Sequence, residues 1–156
     1  KKLDTLSFGQ KKKFMLAFGL ATNTQLLFLD EPSNGLDIPS KSLLRKVISM
    51  CATEERSIII STHQARDLEN SLDRILILEK GDIVFNHSYN EVSNKISFLT
   101  STELQEESKI LYKEELLTGY KQVCKSAPEE QTQLDLELLF TAVVANHASI
   151  NEYLKK

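Results

Sequence analysis

Glycine is scarce in this chain: 5 among 156 residues, at positions 9, 19, 35, 81 and 119. None is followed by Lys-Ser or Lys-Thr. The pattern Gly-x-x-x-x-Gly-Lys-Ser/Thr, whose backbone N–H groups cradle phosphates, is therefore missing. Cysteine is nearly absent too. Cys51 and Cys124 have no metal-type spacing, and reduced thiols in a cytosolic protein are the simplest reading. No uninterrupted apolar run is long enough to span a bilayer, and no signal peptide opens the chain. Positive charge is not in excess. The formal net charge of −3 and a pI near 5.7 argue against a general nucleic-acid footprint. What remains is ordinary for a globular protein, with 41% hydrophobic and 26% charged residues. The length suits one domain, or one domain with a small appendage. The opening residue is Lys1 and not methionine, which predicts a fragment.

The most informative stretch is Leu26-Leu27-Phe28-Leu29-Asp30-Glu31-Pro32. Four large apolar residues run into two carboxylates and a proline. Such a run predicts a strand buried on both faces of a parallel sheet. Pro32 cannot donate to a ladder, so the strand ends there. Asp30 and Glu31 then lie at the carboxyl end of a central strand, where open α/β sheets bind ligands. Adjacent strand residues point to opposite sides, so the two acids can do different work. Asp30 can hold Mg²⁺, directly or through water, while Glu31 orients or deprotonates a water. Phosphoryl transfer needs that division of labour. A buried strand followed by an acidic turn would look the same.

Upstream, Ser7 is a good N-cap. Phe14, Ala17, Phe18 and Ala21 follow at i, i+3, i+4 and i+7, predicting an apolar helix face. Ser7 and Gly9 thus sit at a helix N-terminus, which favours anions. A capped helix with a solvated run of lysines is the bland reading. Downstream of the acids, Pro32 to Asp37 is turn-rich. Pro39 starts a helix bearing Leu43, Leu44, Val47, Ile48 and Cys51. Asp37 can be that helix's capping acid and nothing more. Ser57 to Ser61 predicts a second buried strand, with His63 beyond its carboxyl end. Gln64 to Leu72 reads as a helix. Arg74–Leu78 and Asp82–Phe85 flank Glu79-Lys80-Gly81 as a hairpin. From Tyr89 the character changes. Residues 91–95 are polar, strands are expected at 95–99, 110–112 and 120–124, and 126–133 is a loop. A helix from Asp135 carries Leu136, Leu139, Phe140 and Val143, is interrupted at Asn146, and resumes at Ile150–Leu154.

In order and spacing these residues resemble the nucleotide-binding subunit of ATP-binding cassette (ABC) transporters. Leu6-Ser7-Phe8-Gly9-Gln10 looks like the family signature LSGGQ, with Phe8 in place of the first glycine, and Lys13 matches the basic position that follows. Leu26 to Glu31 looks like the Walker B strand, Ser33 to Asp37 the D-loop, and His63 the switch histidine. Four motifs in sequence, from Leu6 to about Val84, are specific where one alone is weak. The Walker A phosphate loop, the adenine-stacking loop and the Q-loop have no counterpart here. The resemblance therefore implies the C-terminal portion of a cassette. It implies an α/β fold, a partial P-loop NTPase three-layer arrangement, with residues 1–94 the C-terminal part of the ATPase domain and 95–156 an α+β extension, regulatory or dimerising.

The resemblance also implies roles. Two cassettes stack head to tail, each ATP lying between them. Ser7, Phe8, Gly9 and Gln10 would contact the γ-phosphate held by a second cassette subunit. Asp30 would fix Mg²⁺, Glu31 would be the general base, His63 would meet the γ-phosphate, and Asp37 would couple the two sites. ATP and Mg²⁺ are the implied cofactors. A membrane permease is the implied partner, nucleic acid is not expected, and the implied place is the cytoplasmic face of the cell membrane, as in a bacterial exporter-type system. ATP hydrolysis is expected of the full-length protein, while the fragment alone is expected to be inactive for want of the phosphate loop. Two alternatives stay open: a soluble ABC-type ATPase of translation or DNA repair, and a non-enzymatic interaction fragment.

Overall fold

The computed structural model describes residues 3–63, 72–126 and 132–155. It is an α/β structure with two compact units, Lys1–Ser71 and Leu72–Lys156. All but the last residue of the helix expected over 64–72, and most of the loop expected over 126–133, lie outside the described residues.

In the first unit, α1 spans Phe8–Ala21 and opens on a capping box: the Ser7 hydroxyl accepts from the Gln10 N–H while the Gln10 side chain accepts from the Ser7 N–H. β1 (Leu26–Asp30) pairs in parallel with β2 (Ser57–Ser61), in a register that sets Phe28 opposite Ile59 and Asp30 opposite Ser61. Between them runs α2 (Ile38–Cys51), N-capped by Asp37 through the Ser40 N–H and carrying Pro39 in its first turn.

Two expectations about packing fail here. β1 is not buried on both faces. Leu29 is buried, but Leu26 and Phe28 are 50% and 66% exposed, and Ile59 beside Phe28 is 39% exposed. Alternation decides this: one side of the two-stranded sheet is covered and the other is open. The apolar stripe expected to seat α1 is also outward. Phe14 and Phe18 are exposed, with their rings stacked 6.4 Å apart. The inward side is instead Gly9, Lys12, Leu16, Gly19 and Leu20. Gly19 lies on this side near Leu27, where an added Cβ would stand 3.7 Å from Leu27 Cδ1, an ordinary contact distance.

The second unit begins with the hairpin β3 (Arg74–Glu79) and β4 (Asp82–Ser88). Its turn puts Lys80 at φ 53° and Gly81 at φ 94°, the doubly positive turn that matches strand twist. α3 (Tyr89–Lys95) follows, capped by Ser88. Its residues are mostly polar, with Val92 alone buried. β5 (Ile96–Ser101), β6 (Ile110–Leu116) and β7 (Gly119–Lys125) form an antiparallel sheet in the order β5-β7-β6. α4 (Leu136–Leu154) buries Leu139, Val143, Ile150 and Leu154. Phe140 was expected among them but is 51% exposed, being about 100° round the helix from Leu139. Asn146 breaks the helix at φ −156°, ψ 64°, as expected, and its side chain caps the following turn through the Ser149 N–H. Among the described residues no helix is long and apolar enough to cross a membrane.

Candidate functional site

The site is assembled at the carboxyl ends of β1 and β2. Parallel pairing brings both ends to one edge, so the acids that close β1 meet the polar residues that close β2. Ser61 Oγ donates to Asp30 Oδ1 at 2.5 Å, as their register dictates. Glu31 then leaves the strand in a left-handed conformation, φ 44°. A non-glycine residue holds that region only when its surroundings fix it. Here they do. The Glu31 N–H donates to the Ser61 carbonyl at 2.9 Å, and the Glu31 carbonyl accepts from Lys12 Nζ of α1 at 2.5 Å and from the Asn34 N–H at 3.2 Å.

This turn carries the Glu31 carboxylate across to β2. Oε1 accepts the His63 N–H at 3.0 Å and lies 2.6 Å from His63 Nδ1, while Oε2 accepts from Thr62 Oγ1 at 3.2 Å. Because a carboxylate only accepts, Nδ1 is the protonated ring nitrogen in this contact. These bonds hold the Glu31 carboxyl below its usual range. The His63 side chain contributes most. Its backbone N–H, its charge and Thr62 add to it, against partial desolvation. Glu31 is thus ionised and oriented, and is a weaker base than a free carboxylate.

The signature residues and the loop after β1 meet within the same unit. A Cβ on Gly9 would stand 3.8 Å from the Gly35 carbonyl, and one on Gly35 would stand 2.9 Å from Phe8 Cε1. Gly35 itself has φ 74°. Phe8 therefore lies over Gly35, whose positive φ would strain a residue with a side chain. Lys13 Nζ is 3.8 Å from Asp37 Oδ1. The Asp37 carboxyl is held below its usual value first by the Ser40 side chain and backbone, then by Lys13. Ser7 and Gln10 are engaged in the capping box. The N–H groups of Phe8 and Gly9 have no partner within the helix ladder, as geometry requires of a first turn.

Structure thus joins Glu31 to His63 and Asp30 to Ser61 at the shared carboxyl ends of β1 and β2, and places Phe8 and Gly9 against Gly35 and Lys13 near Asp37. Sequence reasoning did not single out Ser61, Thr62 and Lys12. Only the β1–β2 register could have pointed to the first two. For Mg²⁺, the residues present fit: Asp30 is an exposed carboxylate beside a hydroxyl, and Mg²⁺ takes one or two carboxylates with substrate phosphates and water. Among the described residues no group of three or more His, Cys, Asp or Glu forms a self-sufficient metal cage.

Comparison with known proteins bears on this arrangement. A family model described as "AAA domain, putative AbiEii toxin, Type IV TA system" matches residues 2–66. An uncharacterized ABC transporter ATP-binding protein of Methanocaldococcus jannaschii is 31% identical over 143 residues, covering 89% of this chain and 53% of that protein. A putative ribose/galactose/methyl galactoside import ATP-binding protein of Pseudomonas savastanoi is 34% identical over 82 residues, 53% of this chain and 16% of its own length. Among solved structures, a putative cobalt transport ATP-binding protein superimposes with a TM-score of 0.51 at 18% identity, covering 81% of this chain and 46% of that one. That likeness shows the fold. The chain spans about half the length of the first of these relatives and less of the second.

Proposed function

We propose that the chain is a segment of an ATP-binding-cassette ATPase, with Leu6–Gln10, Leu26–Glu31, Ser33–Asp37 and His63 as its signature, Walker B, D-loop and switch histidine, and that it is the part of a transporter's nucleotide-binding subunit that hydrolyses ATP. One observation carries the proposal: the Glu31 carboxylate is held by Thr62 and His63 just beyond the carboxyl end of β2, the strand whose last residue bonds Asp30.

In this reading Asp30 holds Mg²⁺, which when bound neutralises charge on the transferring phosphates. Glu31 orients the attacking water and takes its proton. Its three contacts fix where that oxygen must stand, and positioning of this kind is the main catalytic device in phosphoryl transfer. His63 holds Glu31 and meets the γ-phosphate. The first turn of α1 meets the γ-phosphate held by a second cassette stacked head to tail: Phe8 and Gly9 offer their N–H groups, and Ser7 and Gln10 frame the turn through their capping box. Asp37 couples the two sites. The work is delivered to a membrane permease from the cytoplasmic face of the membrane. Residues 1–94 complete the ATPase domain, and 95–156 regulate or dimerise it.

The test is phosphate release from Mg²⁺·ATP. The protein in which this chain is joined to a phosphate-loop segment hydrolyses ATP, whereas residues 1–156 alone do not. Turnover by this chain alone, or none by the joined protein with its permease, refutes the proposal.

A further inference from the structure

We propose that Ser61 is a positioning residue for the divalent cation: its hydroxyl fixes the Asp30 carboxylate so that one oxygen is committed to the protein and the other is left for the metal. The inference rests on the ATPase reading above and adds to it a residue that the motifs do not mark.

Geometry argues for it. Asp30 is exposed at a strand end, where an unrestrained side chain would exchange between rotamers. Ser61 stands directly opposite in the parallel register, so both side chains leave the sheet on the same face. Ser61 Oγ donates to Asp30 Oδ1, and a hydroxyl bonded to a carboxylate belongs to the stronger class of hydrogen bond when that carboxylate carries charge. The next pair repeats the device: Thr62 Oγ1 donates to Glu31 Oε2 at 3.2 Å. Two consecutive hydroxyls at the end of β2 thus serve two consecutive acids at the end of β1. Because Glu31 turns away at φ 44°, the two hydroxyls serve separate purposes, one on the metal side and one on the water side. A hydroxyl bonded to a ligating carboxylate orients it and excludes unproductive rotamers. Removing such an outer partner costs on the order of 10–100-fold in metal affinity. If Ser61 merely tied two strand ends together, its loss would alter stability and leave metal affinity alone.

The test uses the protein joined to its phosphate-loop segment, in a Glu31→Gln background that suppresses turnover. Mn²⁺ serves as the probe, read by electron paramagnetic resonance in the presence of ATP, with ATP affinity in EDTA measured alongside. Ser61→Ala is expected to weaken Mn²⁺ binding by about 10-fold or more, with metal-free ATP affinity unchanged, and Ser61→Thr is expected to restore it. Parent-like Mn²⁺ affinity in Ser61→Ala, in a protein where Asp30→Asn weakens it, overturns this inference alone. Parent-like affinity in Asp30→Asn overturns the metal assignment of the site, and the inference falls with it.

Discussion

Glu31→Gln separates shape from charge. Glutamine keeps the outline of glutamate, so the contacts can be followed one by one. Its remaining oxygen can stay on the His63 side, where Oε1 now accepts the backbone N–H at 3.0 Å and meets Nδ1 at 2.6 Å. Its amide nitrogen replaces Oε2 and donates to the Thr62 hydroxyl, which accepts as readily as it donates. Every contact survives without the negative charge. The thermal unfolding midpoint should therefore move by no more than a few degrees. Chemistry should not survive. A positioned general base contributes about 10²–10⁴-fold, and turnover in the complete protein should fall by that factor. ATP affinity should stay within about threefold, a change that corresponds to well under one decade in binding. Single-turnover phosphate release measures the first quantity and nucleotide titration the second. Hydrolysis within threefold of the parent would refute the role assigned to Glu31, since nothing else in the substitution would have been lost.

The Glu31 carboxyl is also a source of acid sensitivity. Its folded value lies below the ordinary 4.5 because His63 and Thr62 favour the ionised form. Its contribution to stability is complete above that ordinary value and is lost as pH falls through the lowered one. The difference in unfolding midpoint between parent and Glu31→Gln should be flat near neutrality and shrink on acidification below about pH 4.5; an unchanged difference at pH 3 would contradict the linkage. Gly35→Ala should destabilise by about 1–2 kcal/mol for its left-handed backbone, and more while Phe8 stands 2.9 Å from the new Cβ. Phe8→Ala in the same chain should recover only the steric part in a urea titration. In the second unit Leu139 is fully buried, so Leu139→Ala should cost about 2–5 kcal/mol of denaturant stability, against a near-neutral Phe140→Ala at a half-exposed position.

The sequence disclosed order better than orientation. Leu26–Asp30 and Ser57–Ser61 were legible as strands because both are short apolar runs closed by polar residues. Their partners were not legible: one isolated sequence carries no register, so the Asp30–Ser61 and Glu31–Thr62 bonds had no signal before the strands were aligned. α1 was legible as a helix from its 3.6-residue period. The face it buries was not, since Phe14 and Phe18 outweigh Leu16, Gly19 and Leu20 in a count of hydrophobicity, yet the latter three are the ones turned inward. α3 was missed because Val92 is its sole buried apolar residue, although Ser88 three residues before Glu91 is a helix-start signal. The left-handed turn at Glu31 was illegible for a different reason. Glutamate does not advertise that conformation; five hydrogen-bonding neighbours impose it.

The break at Asn146 gives the second unit a mechanical property. α4 is two rods meeting at a joint, and the second rod has its own cap in the Asn146–Ser149 bond. Its grip on the rest is concentrated in Ile150, Leu154 and Asn151, which donates to the Val84 carbonyl at 2.8 Å. Unpeeling residues 149–154 therefore leaves the earlier turns wound around Leu139 and Val143. Deuterium should enter the final amides first, as a cooperative block, while those preceding the joint stay dark until the whole unit opens.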